Sequence, residues 1–162
     1  MSRIILHGGV LSLLASAFIA ITLAINPRLW LQDYPQDIQH RVPPKSTRER
    51  RASLIIGIPF LVLLLAIPLA STLTLKVQRG GDVSFLRLAA NGFGVLSVFN
   101  LVDWLVLDWL LFCTITPQFV VIPGTAGAAG YRDYAFHFRG FLIGTIFSAA
   151  AGVAGAGIAH LL

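Results

Sequence analysis

Charge is scarce in this sequence. Only 12% of its 162 residues are charged, about half the share of a soluble domain, and 56% are hydrophobic, which is typical of a membrane protein. The net charge is +5, yet no nucleic-acid-binding motif accompanies it, and the basic residues lie in loops beside apolar runs. We therefore expect the lipid bilayer and its anionic headgroups as partners, contacted through the basic loops, and no nucleic acid.

Cysteine is nearly absent as well. Cys113 is the only one, which excludes an intrachain disulfide and a multi-cysteine metal site. The sequence also lacks a P-loop, a dinucleotide fingerprint, an HExxH motif and a DxxD pair on one face. These absences leave the cofactor unknown, predict no metal site, and lower the expectation of an enzyme.

Four long apolar runs dominate what is present. Each is long enough to cross a hydrocarbon core of about 30 Å. A bilayer interior offers no hydrogen-bond partners to the backbone, so each run should be helical. We predict an all-α integral membrane protein with a single domain over 1–162, in which four transmembrane helices form an antiparallel bundle. The predicted spans are 4–25, 54–75, 85–113 and 139–162.

Lysine and arginine are divided unevenly between the two ends of such a bundle. Eight lie in or beside the loops 26–53 and 114–138, and four lie at the other end. The positive-inside rule therefore places both loops in the cytoplasm and both termini on the non-cytoplasmic side. The prediction is a multi-pass protein of the plasma (inner) membrane.

Local signals predict where several helices begin and end. Asn26-Pro27 should end the first helix, because the residue before proline avoids helical geometry. Ser46 and Glu49 fit a capping box at the start of the second helix, before its apolar run. The segment 79–82 reads as a tight turn, and Pro117 should stop the third helix. Between the first two helices we expect either a segment lying on the membrane surface or a solvated connector.

The third run carries polar residues that are unusual in a spanning helix. A carboxylate at the centre of such a helix costs about 2.5–3.5 kcal/mol on insertion scales and marks a functional site by default. At the 100° per residue of an α-helix, Asn100, Asp103, Trp104 and Asp108 fall within one wide sector, and Asn91 faces elsewhere. The two aspartates would be about 140° apart, which places them on either side of a groove.

The segment before the fourth run supplies partners for these carboxylates. Arg132 or Arg139 could pair with an aspartate, and His137 could shuttle a proton beside them. We predict that Asp103 faces the bundle interior and sits against one of these three side chains. The alternative is that the arginines and aromatic residues form a belt at the membrane interface.

The fourth run repeats small residues every four positions. Small residues at that spacing let two helices approach closely. We favour packing within one bundle over the alternative, a seam of a homo-oligomer. The predicted packing residues are Gly140, Gly144, Ser148, Gly152 and Ala156.

These residues lead to two functional hypotheses. A third hypothesis gives them no chemical role. The first is a protein that binds or transports a small polar or ionic species near the cytoplasmic face. The alternative is a small membrane enzyme acting on an anionic lipid or headgroup, with aspartate and histidine as acid and base. A non-catalytic accessory subunit is the third. The candidate binding residues are Asn100, Asp103, Trp104, Asp108, Arg132, His137 and Arg139.

Overall fold

In the computed structural model, which describes residues 2–162, all regular structure is helical. Four of its helices are long and apolar enough to cross a membrane, as the four apolar runs predicted. The third of them changes from α-helical to π-helical geometry at Asp103. The elements are α1 (Ser2–Ile25), a 3-10 helix (Pro27–Asp33), α2 (Gln36–Gln39), α3 (Thr47–Gln78), α4 (Phe85–Val102), the π segment (Asp103–Ile115), two 3-10 turns (Gln118–Val120 and Ala129–Arg132) and α5 (Tyr134–Leu161).

Several predicted helix ends are confirmed. α1 ends at Ile25, and the Asn26 side chain accepts a hydrogen bond from the Arg28 amide at 3.0 Å. The capping box at the start of α3 is complete: the Glu49 amide donates to Ser46 Oγ at 3.2 Å, and the Ser46 amide donates to Glu49 Oε2 at 2.7 Å. Satisfying these amides lets α3 begin seven residues before its predicted span at 54.

The turn between α3 and α4 depends on two glycines. Gly80 and Gly81 have φ angles of +68° and +87°, a left-handed conformation that glycine adopts without steric cost. At the far end of the third spanning helix, Thr116 takes the same left-handed conformation directly before Pro117. The predicted turn at 79–82 and the predicted stop at Pro117 are therefore confirmed.

Small residues of α5 allow it to pack closely on α4, its most extensive neighbour. A Cβ atom added to Gly152 would lie 2.8 Å from the Ala89 carbonyl oxygen, and one added to Gly144 would collide with the Asn100 amide. Ser148 and Ala156 are buried on the same face. That face is thus packed against α4 within the chain.

Gly140, the first member of the predicted ladder, does not take part. It is exposed, and a Cβ atom there would meet nothing within 4 Å. The four-residue period continues to Gly140 in the sequence, but the two helices have already separated at that level. Including Gly140 among the packing residues was therefore wrong.

The outward surfaces of the long helices are strongly apolar. Leu13 on α1 is 72% exposed, Ile55 on α3 is 71% exposed and Ile146 on α5 is 71% exposed. A soluble monomer seldom exposes contiguous apolar patches of this kind, and lipid tails cover such surfaces in a bilayer. The exposed faces therefore support a membrane protein.

The two longer loops pack together at one end of the bundle. They form an apolar core with the ends of α1 and the π segment, which we call the end layer. The Tyr34 hydroxyl donates to the Val120 carbonyl at 2.8 Å, and the Gly130 amide donates to Asp37 at 2.8 Å. Burial raises the pKa of Tyr34, so this hydroxyl keeps its proton and remains a donor. The end layer consists of Leu23, Leu31, Tyr34, Ile38, Phe112, Cys113, Val120, Ile122, Ala128 and Tyr131.

Candidate functional site

The π segment carries the candidate site. In a π-helix each amide bonds to the carbonyl five residues earlier, and such helices are rare and often found at functional sites. Here the Thr116 amide donates to the Leu111 carbonyl at 2.8 Å, and the Thr114 hydroxyl donates to the Trp109 carbonyl at 2.7 Å. Both bonds span five residues.

This geometry corrects the angular placement of the two aspartates. Residues five apart in a π-helix lie one turn above another, whereas in an α-helix they diverge by about 140°. Asp103 and Asp108 therefore share one face and do not lie on either side of a groove. Trp104 and Trp109 have the same spacing, and their ring centroids are 4.7 Å apart.

The sequence itself contains a signal for this five-residue spacing. Residues 103–112 read DWLVLDWLLF, so the tripeptide Asp-Trp-Leu recurs after five residues. A period of five fits neither the α-helix nor the strand, but it matches the hydrogen-bond spacing of a π-helix. Sequence reasoning missed it because every spanning run was read at 3.6 residues per turn.

Asp108 is paired with His137. Asp108 Oδ1 lies 2.9 Å from His137 Nδ1, and the histidine is 6% exposed. Asp133 positions the histidine from one turn earlier, because its carboxylate accepts the Phe136 amide at 2.9 Å and so caps α5. The imidazole packs against Phe112, with ring centroids 4.8 Å apart.

The second nitrogen of His137 has no partner. Nε2 is buried and makes no hydrogen bond within residues 2–162. With Nδ1 donating to Asp108, Nε2 is an acceptor in the neutral ring and a donor in the protonated ring. A buried nitrogen left in this condition costs free energy until a ligand or a proton acceptor meets it.

The predicted partners of Asp103 are placed differently. His137 bonds to Asp108, one π turn away from Asp103. Arg132 and Arg139 are exposed, and in the described part of the chain neither forms an ion pair or a side-chain hydrogen bond. Asp103 itself is half-buried and has no hydrogen-bond partner in residues 2–162. Pairing of Asp103 with a loop arginine was therefore wrong, and the carboxylate that is paired is Asp108.

Asn100 and Trp104 lie against α5. The Asn100 amide donates to the Phe141 carbonyl at 3.0 Å and to the Thr145 hydroxyl at 3.1 Å. Its nitrogen is thus used to join the two helices and is not free for a ligand. The Trp104 ring stacks on Phe141 with centroids 4.5 Å apart, and its buried Nε1 has no partner in residues 2–162.

A second polar cluster lies nearer the opposite end of the bundle. Ser71 Oγ lies 2.8 Å from His7 Nδ1 and accepts a hydrogen bond from the Asn91 amide at 3.0 Å. Asn91 also donates to Thr72 Oγ1 at 3.3 Å. These bonds join α1, α3 and α4, so Asn91 holds helices together away from the aspartates. No sequence signal singled out Ser71 and Thr72 among the hydroxyls of the apolar runs.

The site therefore combines two carboxylates on one face with a buried imidazole that has one open nitrogen. Such a set can accept a proton, relay it, or offset the charge of a small cation. Within residues 2–162, no three His, Cys, Asp or Glu side chains are arranged to hold a metal ion. Comparisons with protein-family models, with curated proteins and with solved structures found no match to this chain.

Proposed function

We propose that the protein is a multi-pass membrane protein that binds or transports a small ionic species, a proton, at Asp103, Asp108 and His137. The observation that carries this proposal is the Asp108–His137 pair, whose histidine is buried and has an open Nε2. Asp103 adds a second carboxylate on the same face of the π segment. Asn100 and Trp104 flank this face from α4 and the π segment. The Asn100 amide nitrogen is used to join α4 to α5, and the Trp104 Nε1 has no partner in residues 2–162.

The argument is electrostatic. Two carboxylates one π turn apart repel each other, and in a medium of low dielectric constant this repulsion is strong. Neither loop arginine offsets it, because Arg132 and Arg139 are exposed and form no ion pair within residues 2–162. A bound proton would relieve the repulsion, whereas a neutral or anionic ligand would not.

The topology that accompanies this proposal is antiparallel. At one end, Lys76 Nζ donates to the Ala159 carbonyl at 2.8 Å, and the Phe85 ring lies 6.5 Å from the His160 ring. At the other end, the Trp109 indole donates to the Tyr134 carbonyl at 3.3 Å. With the eight-to-four division of lysine and arginine, the end layer and the site face the cytoplasm, and the plasma (inner) membrane is the proposed location.

Tryptophan fluorescence can test ion binding directly. The chain has three tryptophans, so Trp30→Phe leaves only Trp104 and Trp109, which adjoin the two aspartates. In detergent, this variant should show a saturable fluorescence change with acid, and none with NaCl, KCl or choline chloride at constant pH. Asp103→Asn and Asp108→Asn should each weaken the response at least about tenfold.

The matched control is Asp82→Asn, which removes an exposed carboxylate from the α3–α4 turn. It should leave the titration unchanged, because Asp82 is remote from the tryptophans. If the response survives both site substitutions, or is lost equally in the control, the ion does not bind at this site.

One observation favours an enzyme as the second candidate. A carboxylate bonded to Nδ1 with Nε2 left open is the arrangement in which histidine acts as a general base. The exposed Arg132 and Arg139 flank the start of α5 and could hold an anionic lipid headgroup. Incubation with phosphatidylglycerol vesicles, followed by mass spectrometry of the lipids, should then show a product that His137→Gln abolishes. Unchanged lipids would remove this candidate.

A further inference from the structure

A second basic site lies on the outer face of α3, away from the aspartates. Five residues on one side of its first turns line an open groove of about 470 Å³. Two of the lining residues are arginines one helical turn apart, and two are apolar. The lining residues are Thr47, Arg48, Arg51, Ala52 and Ile55.

The basic side chains around this groove differ in whether they already have a partner within the protein. Arg28 is paired with Glu49 at 2.6 Å, which neutralises the carboxylate nearest the groove. Lys45 donates to the Leu29 carbonyl and the Ser53 hydroxyl, and burial lowers its pKa. These three charged groups are therefore not available to an outside ligand.

Arg48 and Arg51, by contrast, are available to an outside ligand. Both are exposed, and neither makes an ion pair or a side-chain hydrogen bond within residues 2–162. Two guanidinium groups one helical turn apart can bind the oxygens of one phosphate. Arginine suits this anion because its planar guanidinium group donates two parallel hydrogen bonds to phosphate oxygens. The positive end of the α3 dipole adds to this attraction.

The apolar part of the groove indicates which phosphate compound fits. Ile55 lines the groove, and the exposed Ile58 and Val62 continue the same outer surface of α3. A ligand with its phosphate on the arginines would place its remaining length along these side chains. A free phosphate ion would leave that surface uncovered, whereas an acyl chain would cover it.

We propose that Arg48 and Arg51 bind the phosphate of one anionic phospholipid, whose acyl chain lies over Ile55. This proposal rests on the placement of α3 in a bilayer but not on ion binding at the aspartates. It predicts a site of defined stoichiometry, in contrast to the diffuse attraction that any basic loop has for an anionic membrane.

The test is native mass spectrometry of the full chain in detergent with added phosphatidylglycerol. The wild-type protein should retain one lipid with higher affinity than phosphatidylcholine, which carries no net charge. Arg48→Gln combined with Arg51→Gln should lower the phosphatidylglycerol affinity at least about tenfold, because two charge-assisted contacts are lost. The thermal unfolding midpoint should not change, since both side chains are exposed.

The matched control removes two exposed arginines elsewhere, by Arg41→Gln combined with Arg79→Gln. If this control loses as much affinity, the attraction is diffuse and the proposal is overturned. Equal retention of phosphatidylcholine would overturn it too.

If inorganic phosphate binds as tightly as the lipid, and Ile55→Asn leaves lipid affinity unchanged, the site takes a free anion and the lipid proposal is wrong. The tryptophan titration at the aspartates is independent of every one of these outcomes.

Discussion

At the scale of single residues, Gly152 lets the backbone of α5 approach the backbone of α4 closely. A Cβ atom at Gly152 would meet two backbone atoms of α4 at 2.8 Å, and backbone cannot move aside as a flexible side chain can. The sequence predicted this contact from a four-residue period of small side chains. It could not predict that Gly140 lies outside it, because the period says nothing of where two helices diverge.

Replacing Gly152 by leucine should therefore destabilise the protein. Overpacking of this kind costs about 1–3 kcal/mol, and the absence of any movable side chain places this case at the upper end. Gly140→Leu is the matched control, since it adds the same side chain to the same helix in open space. Unfolding in mixed detergents, followed by far-ultraviolet circular dichroism, compares the two. Equal stability of both variants would mean that α5 does not pack on α4 at Gly152.

Asn100 also shows how much of a residue's role can be predicted from its type alone. Its polarity in an apolar run suggested a ligand-binding residue, whereas in the structure its amide nitrogen donates to the Phe141 carbonyl on α5. In a bilayer an amide side chain serves as well for joining helices as for binding a ligand. Only the position of Gly144, which makes room for this amide, distinguishes the two roles.

At the scale of elements, the π segment is what brings the site together. It turns the five-residue repeat Asp-Trp-Leu into two vertical pairs, Asp103 with Asp108 and Trp104 with Trp109. An α-helix over the same residues would separate both pairs by about 140°. The candidate residues could be named from the sequence, but their mutual geometry could not, because it depends on a hydrogen-bond spacing that few helices use.

The paired indoles give a spectroscopic test of this register. Two indole rings with centroids 4.7 Å apart should couple and produce an exciton couplet in the circular dichroism spectrum. Trp104→Phe and Trp109→Phe should each abolish the couplet, since either change removes one half of the pair. Trp30→Phe, which removes the remaining tryptophan, should retain it. A couplet that is absent from the wild-type protein, or that depends on Trp30, would contradict the π register.

At the scale of the whole molecule, the four spanning helices followed from composition and run length, and the end layer did not. Its contacts join segments far apart in the chain, such as Tyr34 with Val120 and Asp37 with Gly130. Local patterns in the two loops, with their prolines and glycines, indicated connectors. The pairing between them depends on long-range packing that no single segment reveals.

The end layer also sharpens the test of orientation, because both loops should be on the same side of the membrane. Gln36, Ala126 and Asp82 are exposed, and each can be replaced by cysteine in a Cys113→Ala background. The division of lysine and arginine predicts that Asp82→Cys reacts with a membrane-impermeant maleimide in intact cells. Gln36→Cys and Ala126→Cys should react only after lysis. The reverse pattern would invert the orientation and place the aspartates at the outer face. If Gln36→Cys and Ala126→Cys reacted from opposite sides of the membrane, the two loops would be separate and the end layer would be contradicted.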